Sequence, residues 1–530
     1  MSITKTNNEL LNDLDIKDKI ILGIDKCFTE FGSKKLVKYS ENIIYNVDIL
    51  DKRKELLRLI LNKKIEREQL KKKLKKVKSK QNLINEWLHE NFFTDLSFNK
   101  EIFNRDILLT LSNKMKFISV ILYPLIYIVI YSILKYFGFD ICFVSYIKSL
   151  YNGYQNTISF ILSLMLSNAS IIYVASHGLS ILYCFYQLYS LYNTCNNGIT
   201  HYKKCGEIEN NFNQIEKIID TIDDIFNSDI FHSLKNIKYY NDGIDIDHYI
   251  ENLKTTFSGK SLGEIILLYH KKPFYDSFNI ILDFVGHIDA QISIAENLFN
   301  GYTLPQFENY EKPFVIATNV FHPSLAYDNQ TKNDAIISDP NLMIITGPNK
   351  AGKSTFMKSL VLSIYMAQTF CITCSENLVF TPFVDIYTYL NVPDDLGRES
   401  LFEAEVNRCF NFYEKAKKLK NNEYIFCIID ELFTGTNPPE GISSSFAICK
   451  KITECNNAIV CVSTHFYDIC KIPKVIYKKF IANKINNKYE FPYKIYDGIS
   501  NQYIAIELLK EKGYDDDIIN YALTKLKEIN

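Results

Sequence analysis

The sequence predicts an α/β domain, a parallel sheet with flanking helices, preceded by an all-α region that contains two transmembrane helices. Three observations predict this. The apolar runs LMIIT (342–346), YIFCII (424–429) and AIVCVS (458–463) alternate with helical stretches, the pattern of a largely parallel sheet. Residues 1–100 and 203–310 carry charged, helical patterning. Between them lie two long uncharged stretches.

At 530 residues the chain has room for roughly three or four domains. Its 60 basic and 61 acidic side chains leave a net charge of −1. A nucleic-acid role must therefore rest on local charge. The N-terminus, MSITKTNNELLNDLD, has no apolar stretch of the secretory kind. Thirteen cysteines are scattered singly apart from Cys371 and Cys374, and that pair has no second pair or nearby histidine to complete a zinc site. Reduced thiols are the expected state.

The first segment, 1–100, reads as helical. Residues 51–80 hold no Gly or Pro and predict one long helix, with seven lysines in 71–80. Such a face is either simply solvated or meets phosphates or lipid headgroups. The second segment, 101–202, is hydrophobic. FISVILYPLIYIVIYSIL, 117–134, has eighteen positions without a charge, and no Asp, Glu, Lys or Arg occurs from Ser149 to Tyr202. A bilayer core needs about 20 apolar residues per helix. Spans at about 117–137 and 158–180 are thus expected, with buried helices as the alternative. Lysines at 114, 116, 203 and 204 would put both flanks, and everything beyond them, on the cytoplasmic side. Residues 203–310 return to helix, and 311–530 form the α/β domain.

GPNKAGKS, 347–354, fits G-x-x-x-x-G-K-S/T, with an apolar strand running in and a helix bearing Phe356, Leu360, Val361 and Ile364 on one face running out. Gly347 and Gly352 let backbone N–H groups wrap phosphates, and the helix N-terminus adds partial positive charge. Pro348, Asn349, Lys350, Ala351 and Thr355 complete the nucleotide-binding loop. Lys353 is placed to bridge the β- and γ-phosphates, and Ser354 to give an oxygen to Mg²⁺. A second strand ends in Asp430 and Glu431. Asp430 is placed to hold Mg²⁺ through water, and Glu431 to polarise the attacking water. A third ends in STH, bringing His465 towards the γ-phosphate. The expected fold of this part is therefore a P-loop nucleoside triphosphatase.

LMIITGPNKAGKSTFMKSLVLSIYMAQ resembles the ATPase domain of the MutS family of DNA mismatch repair proteins, whose loop reads G-P-N-x-x-G-K-S-T; Asn349 and Thr355 match beyond the general motif. DDLGRESLFEAEV, 394–406, resembles the family's signature segment, with Gly397, Arg398, Ser400, Phe402 and Glu405 aligned and Leu401 where Thr is usual. DELFTGTNPPEG (430–441) and VSTHFYDICKIP (462–473) resemble the next two segments. No L-S-G-G segment of the transporter motors occurs. More weakly, residues 22–36 and 48–60 look like the start of the family's lever domain, and 499–529 like its closing dimerisation segment.

The resemblance implies ATP bound with Mg²⁺ between two subunits of a homodimer or heterodimer, catalysis by Glu431 and His465, and Ser400 reaching the γ-phosphate of the other subunit. It also implies coupling to DNA. A mismatch-reading domain with a Phe-x-Glu wedge is not expected, since the chain starts at the lever-like segment. One such tripeptide, Phe412–Glu414, falls on the helix between the signature and Asp430, the wrong domain for a mismatch reader. Two functions follow: a DNA-binding ATPase of mismatch-repair type, cytoplasmic or nuclear and soluble, or a membrane-anchored MutS-like ATPase facing the cytoplasm without mismatch recognition. A scaffold with a degenerate ATPase is disfavoured, because every loop and acidic residue is present.

Overall fold

The computed structural model describes residues 3–89, 132, 171–240, 243–260, 264–265, 268–269, 272–390, 401–420, 422–485, 488–502 and 504–529. They form two compact units: 1–78 with 224–244 and 282–530, and 79–223 with 245–281.

The first unit contains the α/β domain. Its main sheet holds β1 (Leu342–Thr346), β2 (Asp385–Tyr389), β3 (Ile425–Asp430), β4 (Ala458–Ser463), β5 (Ile476–Phe480) and β6 (Ile495–Asp497), in the order β6-β5-β1-β4-β3-β2. Every pairing is parallel except that of β6 with β5, so the sheet is mixed, with one antiparallel strand at its edge. The antiparallel strand follows β5 through a short two-stranded excursion, Asn483–Ile485 with Lys488–Glu490, which returns the chain alongside its own strand. The central strands β1 and β4 are buried at every position. Strands covered on both faces read as continuous apolar runs, which is why their limits are visible in the sequence. The flanking helices are α1 (Lys353–Phe370), α2 (Leu401–Lys418) and α3 (Pro438–Ile452). A second, four-stranded sheet joins Gln306–Phe307, Asn377–Phe380, Val315–Val320 and Asn333–Ile337 in that order.

The helical part of this unit is not purely helical. Ile3–Lys5 pairs antiparallel with Asn42–Ile44. Residues 51–80 do not form one helix either. Helices Val47–Asn62 and Lys64–Ser79 break at Lys63, whose ψ of 60° is not helical. Lys63 pairs with Glu66 and Asp229, and the Glu66 carboxylate accepts from the Ile230 N–H at 3.0 Å. Contacts with a distant segment thus compete with continuation of the helix.

The far end of α1 is tied to residues 40–53. Tyr365 Oη donates to the Ser40 carbonyl at 2.5 Å, and Gln368 Nε2 to the Ile44 carbonyl at 2.9 Å. Arg53, 1% exposed, donates to the Thr369 carbonyl at 2.7 Å and to Tyr240 Oη at 2.8 Å. Its guanidinium carbon lies 4.9 Å from the Tyr239 ring centre and 5.4 Å from that of Tyr39. A cation is favourable at the negative end of a helix, and the rings add cation–π attraction. Arg53→Ala would orphan a carbonyl and a hydroxyl and leave a cavity. It is expected to lower unfolding free energy by about 2–5 kcal/mol, read from the denaturant midpoint of the full chain; an unchanged midpoint would count against this anchor.

The described residues of the second unit are mainly helical. Trp87 packs edge-on to Tyr269, with ring centres 5.1 Å apart, and Phe212 stacks on Phe257 at 5.2 Å. Helix Ile246–Phe257 buries Ile246, Ile250, Leu253 and Phe257 on one stripe, and the Asp245 side chain caps it by accepting from the His248 N–H.

The two transmembrane helices are not supported. No helix among the described residues is long and apolar enough to cross a membrane. Of the expected spans, 117–137 (Ser132 apart) and 158–170 lie outside the described residues. Residues 171–180 begin the helix Ile171–Phe226. That helix is long, but Ser176, His177, Ser180, Gln187, Ser190 and Asn193 recur through its uncharged part before Lys203 and Lys204. Freedom from charge is not the same as the sustained apolarity that a bilayer requires.

Candidate functional site

Strands β1, β3 and β4 run parallel and end at one edge, with Ser463 in register with Asp430 on one side and Ile345 on the other. The loop 347–352 leaves β1 at this edge and turns into α1. Gly347 has φ +149° and Gly352 φ +103°. A Cβ at Gly347 would lie 2.8 Å from the Phe480 carbonyl oxygen, and one at Gly352 would lie 3.2 Å from a Tyr493 ring carbon. Backbone conformation and close approach together require glycine at both positions. Lys350, at φ +68°, completes the turn.

The first helical residue is Lys353, 5% exposed. Its ammonium folds back over the loop, 3.0 Å from the Gly347 carbonyl and 3.3 Å from that of Pro348. Burial holds its pKa below the usual lysine range, against the opposing pull of Glu431 and Asp430. The first N–H groups of α1 have no partner within the helix. They and the lysine face a cavity of about 790 Å³ whose floor is residues 349–356.

The acidic pair sits where the sequence predicts. Ser463 Oγ donates to Asp430 Oδ1. Glu431 has φ +58°, unusual for a non-glycine residue, and its N–H is held by the Ser463 carbonyl at 3.2 Å. Its Oε1 lies 3.0 Å from His465 Nε2, and the same ring nitrogen lies 3.3 Å from Lys353 Nζ. One imidazole nitrogen therefore stands between an anion and a cation. With its proton on Nε2 the ring donates to Glu431; with the proton on Nδ1 it accepts from Lys353. The hydrogen bond from His465 holds the Glu431 carboxyl below the usual range, against partial burial, with the His465 and Lys353 charges helping.

Ser354 and Thr355 line the cavity with Asn349, Lys350 and Ala351. Ser400, Gly397 and Arg398 lie outside the described residues. Phe412 is buried against Tyr387, so the Phe412–Glu414 tripeptide is core and surface of α2.

Two lining residues escape a linear reading. Tyr493 reaches the cavity from the loop before β6, and His322 from the loop after Val315–Val320. Asn333 holds Tyr493 in place, donating to its carbonyl at 2.9 Å while accepting from the Ile495 N–H at 3.0 Å. Burial, helped by Lys358 and Lys19, lowers the His322 pKa to about 4, leaving a neutral ring near pH 7. The sequence carries no local signal for either; Asn333 opens a strand, Asn333–Ile337, whose alternation appears only in its burial.

A strand that feeds a glycine-bearing loop into a helix, at the carboxyl edge of a mainly parallel sheet, defines the class: a nucleotide-binding α/β domain. Comparison with protein families specifies it further. Residues 343–530 match the family model for MutS domain V, the ATPase domain of the MutS family.

Proposed function

We propose that the chain is a P-loop ATPase of MutS type that binds ATP with Mg²⁺, hydrolyses it at a dimer interface and couples turnover to DNA of the mismatch-repair kind. The observation that carries the reading is the meeting of Lys353, Glu431 and His465 within 3.3 Å beside the loop.

In this reading the loop N–H groups and Lys353 bind the phosphates, and Lys353 exchanges its loop carbonyls for β- and γ-phosphate oxygens. Glu431 orients water and receives its proton, and His465 holds that carboxylate in place. Tyr493 and His322 offer apolar ring surface to the base. The oxygen donors suit Mg²⁺, which takes one or two carboxylates beside substrate phosphates. Ser354 Oγ and Asp430 would hold it, with Ser463 fixing one Asp430 oxygen. Bound there, Mg²⁺ supplies charge neutralisation between the β- and γ-phosphates. Ser400 would act in trans, which makes dimerisation part of turnover. The DNA part is supported by the exposed Lys72 and Lys78. By contrast, Lys71 and Lys73 are engaged by Glu296 and Asp224.

The test is Mg²⁺-dependent ATP turnover by the full chain, with sedimentation with and without ATP and duplex binding across a salt series. Turnover removed by a chelator, an ATP-dependent dimer and salt-sensitive duplex binding are expected. Turnover no higher than that of Lys353→Met overturns the ATPase reading. A monomer with ATP removes the dimer, and no duplex binding at low salt removes the DNA role.

A further inference from the structure

The loop after β3 is held in a conformation that L-residues rarely adopt. Glu431 and Phe433 both have φ +58°, and backbone of this kind persists only when its surroundings enforce it. Three contacts do so. Ser445 Oγ, fully buried on α3, donates to the Leu432 carbonyl at 2.9 Å. The other two come from α2. The Phe402 ring meets that of Phe433 edge-on, 5.7 Å between centres. The carboxylate of Glu405, 3% exposed, accepts from the Gly435 N–H at 3.2 Å and from Thr434 Oγ1 at 3.5 Å.

A carboxylate is costly to bury, and an N–H donor relieves that cost. Glu405 is thus committed to the loop that begins with Glu431. The helix that carries it is itself anchored. Arg408, one turn on, pairs with Asp13 and donates to the Leu390 carbonyl at 3.2 Å. The loop hangs between two helices, and the Glu431 carboxylate projects from its start towards His465.

We propose that Glu405 is a positioning residue for ATP hydrolysis: through Gly435 and Thr434, and with Phe402 on Phe433, it keeps the Glu431 carboxylate in reach of the attacking water. This rests on the ATPase reading above. Glu405 is not among the residues lining the cavity, so it governs the rate of the chemical step and leaves nucleotide capture by the phosphate loop alone. Any displacement of α2 along its axis is passed to Glu431 through the same two contacts.

The test uses the full chain with Glu405→Ala, Glu405→Met and Glu405→Gln. Met fills similar volume without acceptors, and Gln keeps one oxygen for the Gly435 N–H and an amide for Thr434. Ala and Met are expected to lower kcat by about 10–100-fold, as for a catalytic group displaced by about 1 Å. KM for ATP and nucleotide affinity should stay within about twofold, because the binding groups are untouched. Gln is expected to restore most of kcat. Wild-type kcat in either folded variant overturns the proposal, as does a parallel fall of kcat and affinity with no rescue by Gln. The ATPase reading fails separately, if the unsubstituted chain itself turns over no faster than Lys353→Met.

Discussion

Glu431→Ala is expected to lower ATP turnover by about 10²–10⁴-fold, the range for losing a positioned general base, and to leave ATP binding within a few fold. The separation follows from where the carboxylate stands. It is 3.0 Å from His465 Nε2, and it takes no part in the loop or in the first turn of α1. Its pKa is held low, chiefly by the His465 hydrogen bond. It is therefore ionised throughout the neutral range, and a group so depressed stays a base until pH falls below the ordinary carboxylate range. Activity limited by Glu431 should be flat near neutrality and fall only in acid. Single-turnover hydrolysis and equilibrium nucleotide binding check both halves. Undiminished turnover in the variant would remove Glu431 from the catalytic role.

Lys353→Met is expected to weaken nucleotide binding by about 10²-fold or more. Hydrogen bonds to charged groups are worth about 1.5–3 kcal/mol each, and Lys353 is placed to make more than one to the phosphates. The nucleotide-free protein should tolerate the change. The ammonium is 5% exposed, and burial already lowers its pKa. Removing a desolvated charge whose partners are two carbonyls and an imidazole, and replacing it with an apolar chain of similar length, costs little. Titration with a fluorescent nucleotide should show the lost affinity. Thermal unfolding should show a midpoint no lower than the parent without nucleotide, and a smaller upward shift with it. A large drop without nucleotide would mean that the loop depends on Lys353 for its own fold.

Much of the site was legible because it is local. Loop 347–354, the acids at the end of β3 and the histidine after β4 are each written within a few residues of an apolar run. Parallel pairing then brings the three strand ends together, with Ser463 beside Asp430. What could not be read depends on residues far apart in the chain. Tyr493 comes to the cavity on the connection into the antiparallel edge strand β6, and Glu405 finds its partners in a loop of another segment. Tyr493 has no neighbouring motif, and the signature segment that holds Glu405 does not announce its partner. The break at Lys63 has the same origin, since Asp229 and Ile230 decide it. The membrane expectation erred differently. Where the described residues bear on it, at 171–180, it read absence of charge as apolarity, and the helix Ile171–Phe226 is uncharged over its first part yet rich in Ser, Asn, Tyr and Gln.

By itself the sequence determined the three buried strands, the glycine-bearing loop with its lysine, and the acidic and histidine strand ends, because each is encoded by hydrophobic continuity or fixed spacing along a few residues. Only the tertiary structure decided that one imidazole nitrogen lies between Glu431 and Lys353, that Tyr493 and His322 wall the cavity, and that Arg53 and Glu405 hold the far end of α1 and the loop beyond β3. Those arrangements rest on distances across the sheet and between distant segments, and a chain's linear order does not contain them until it has folded.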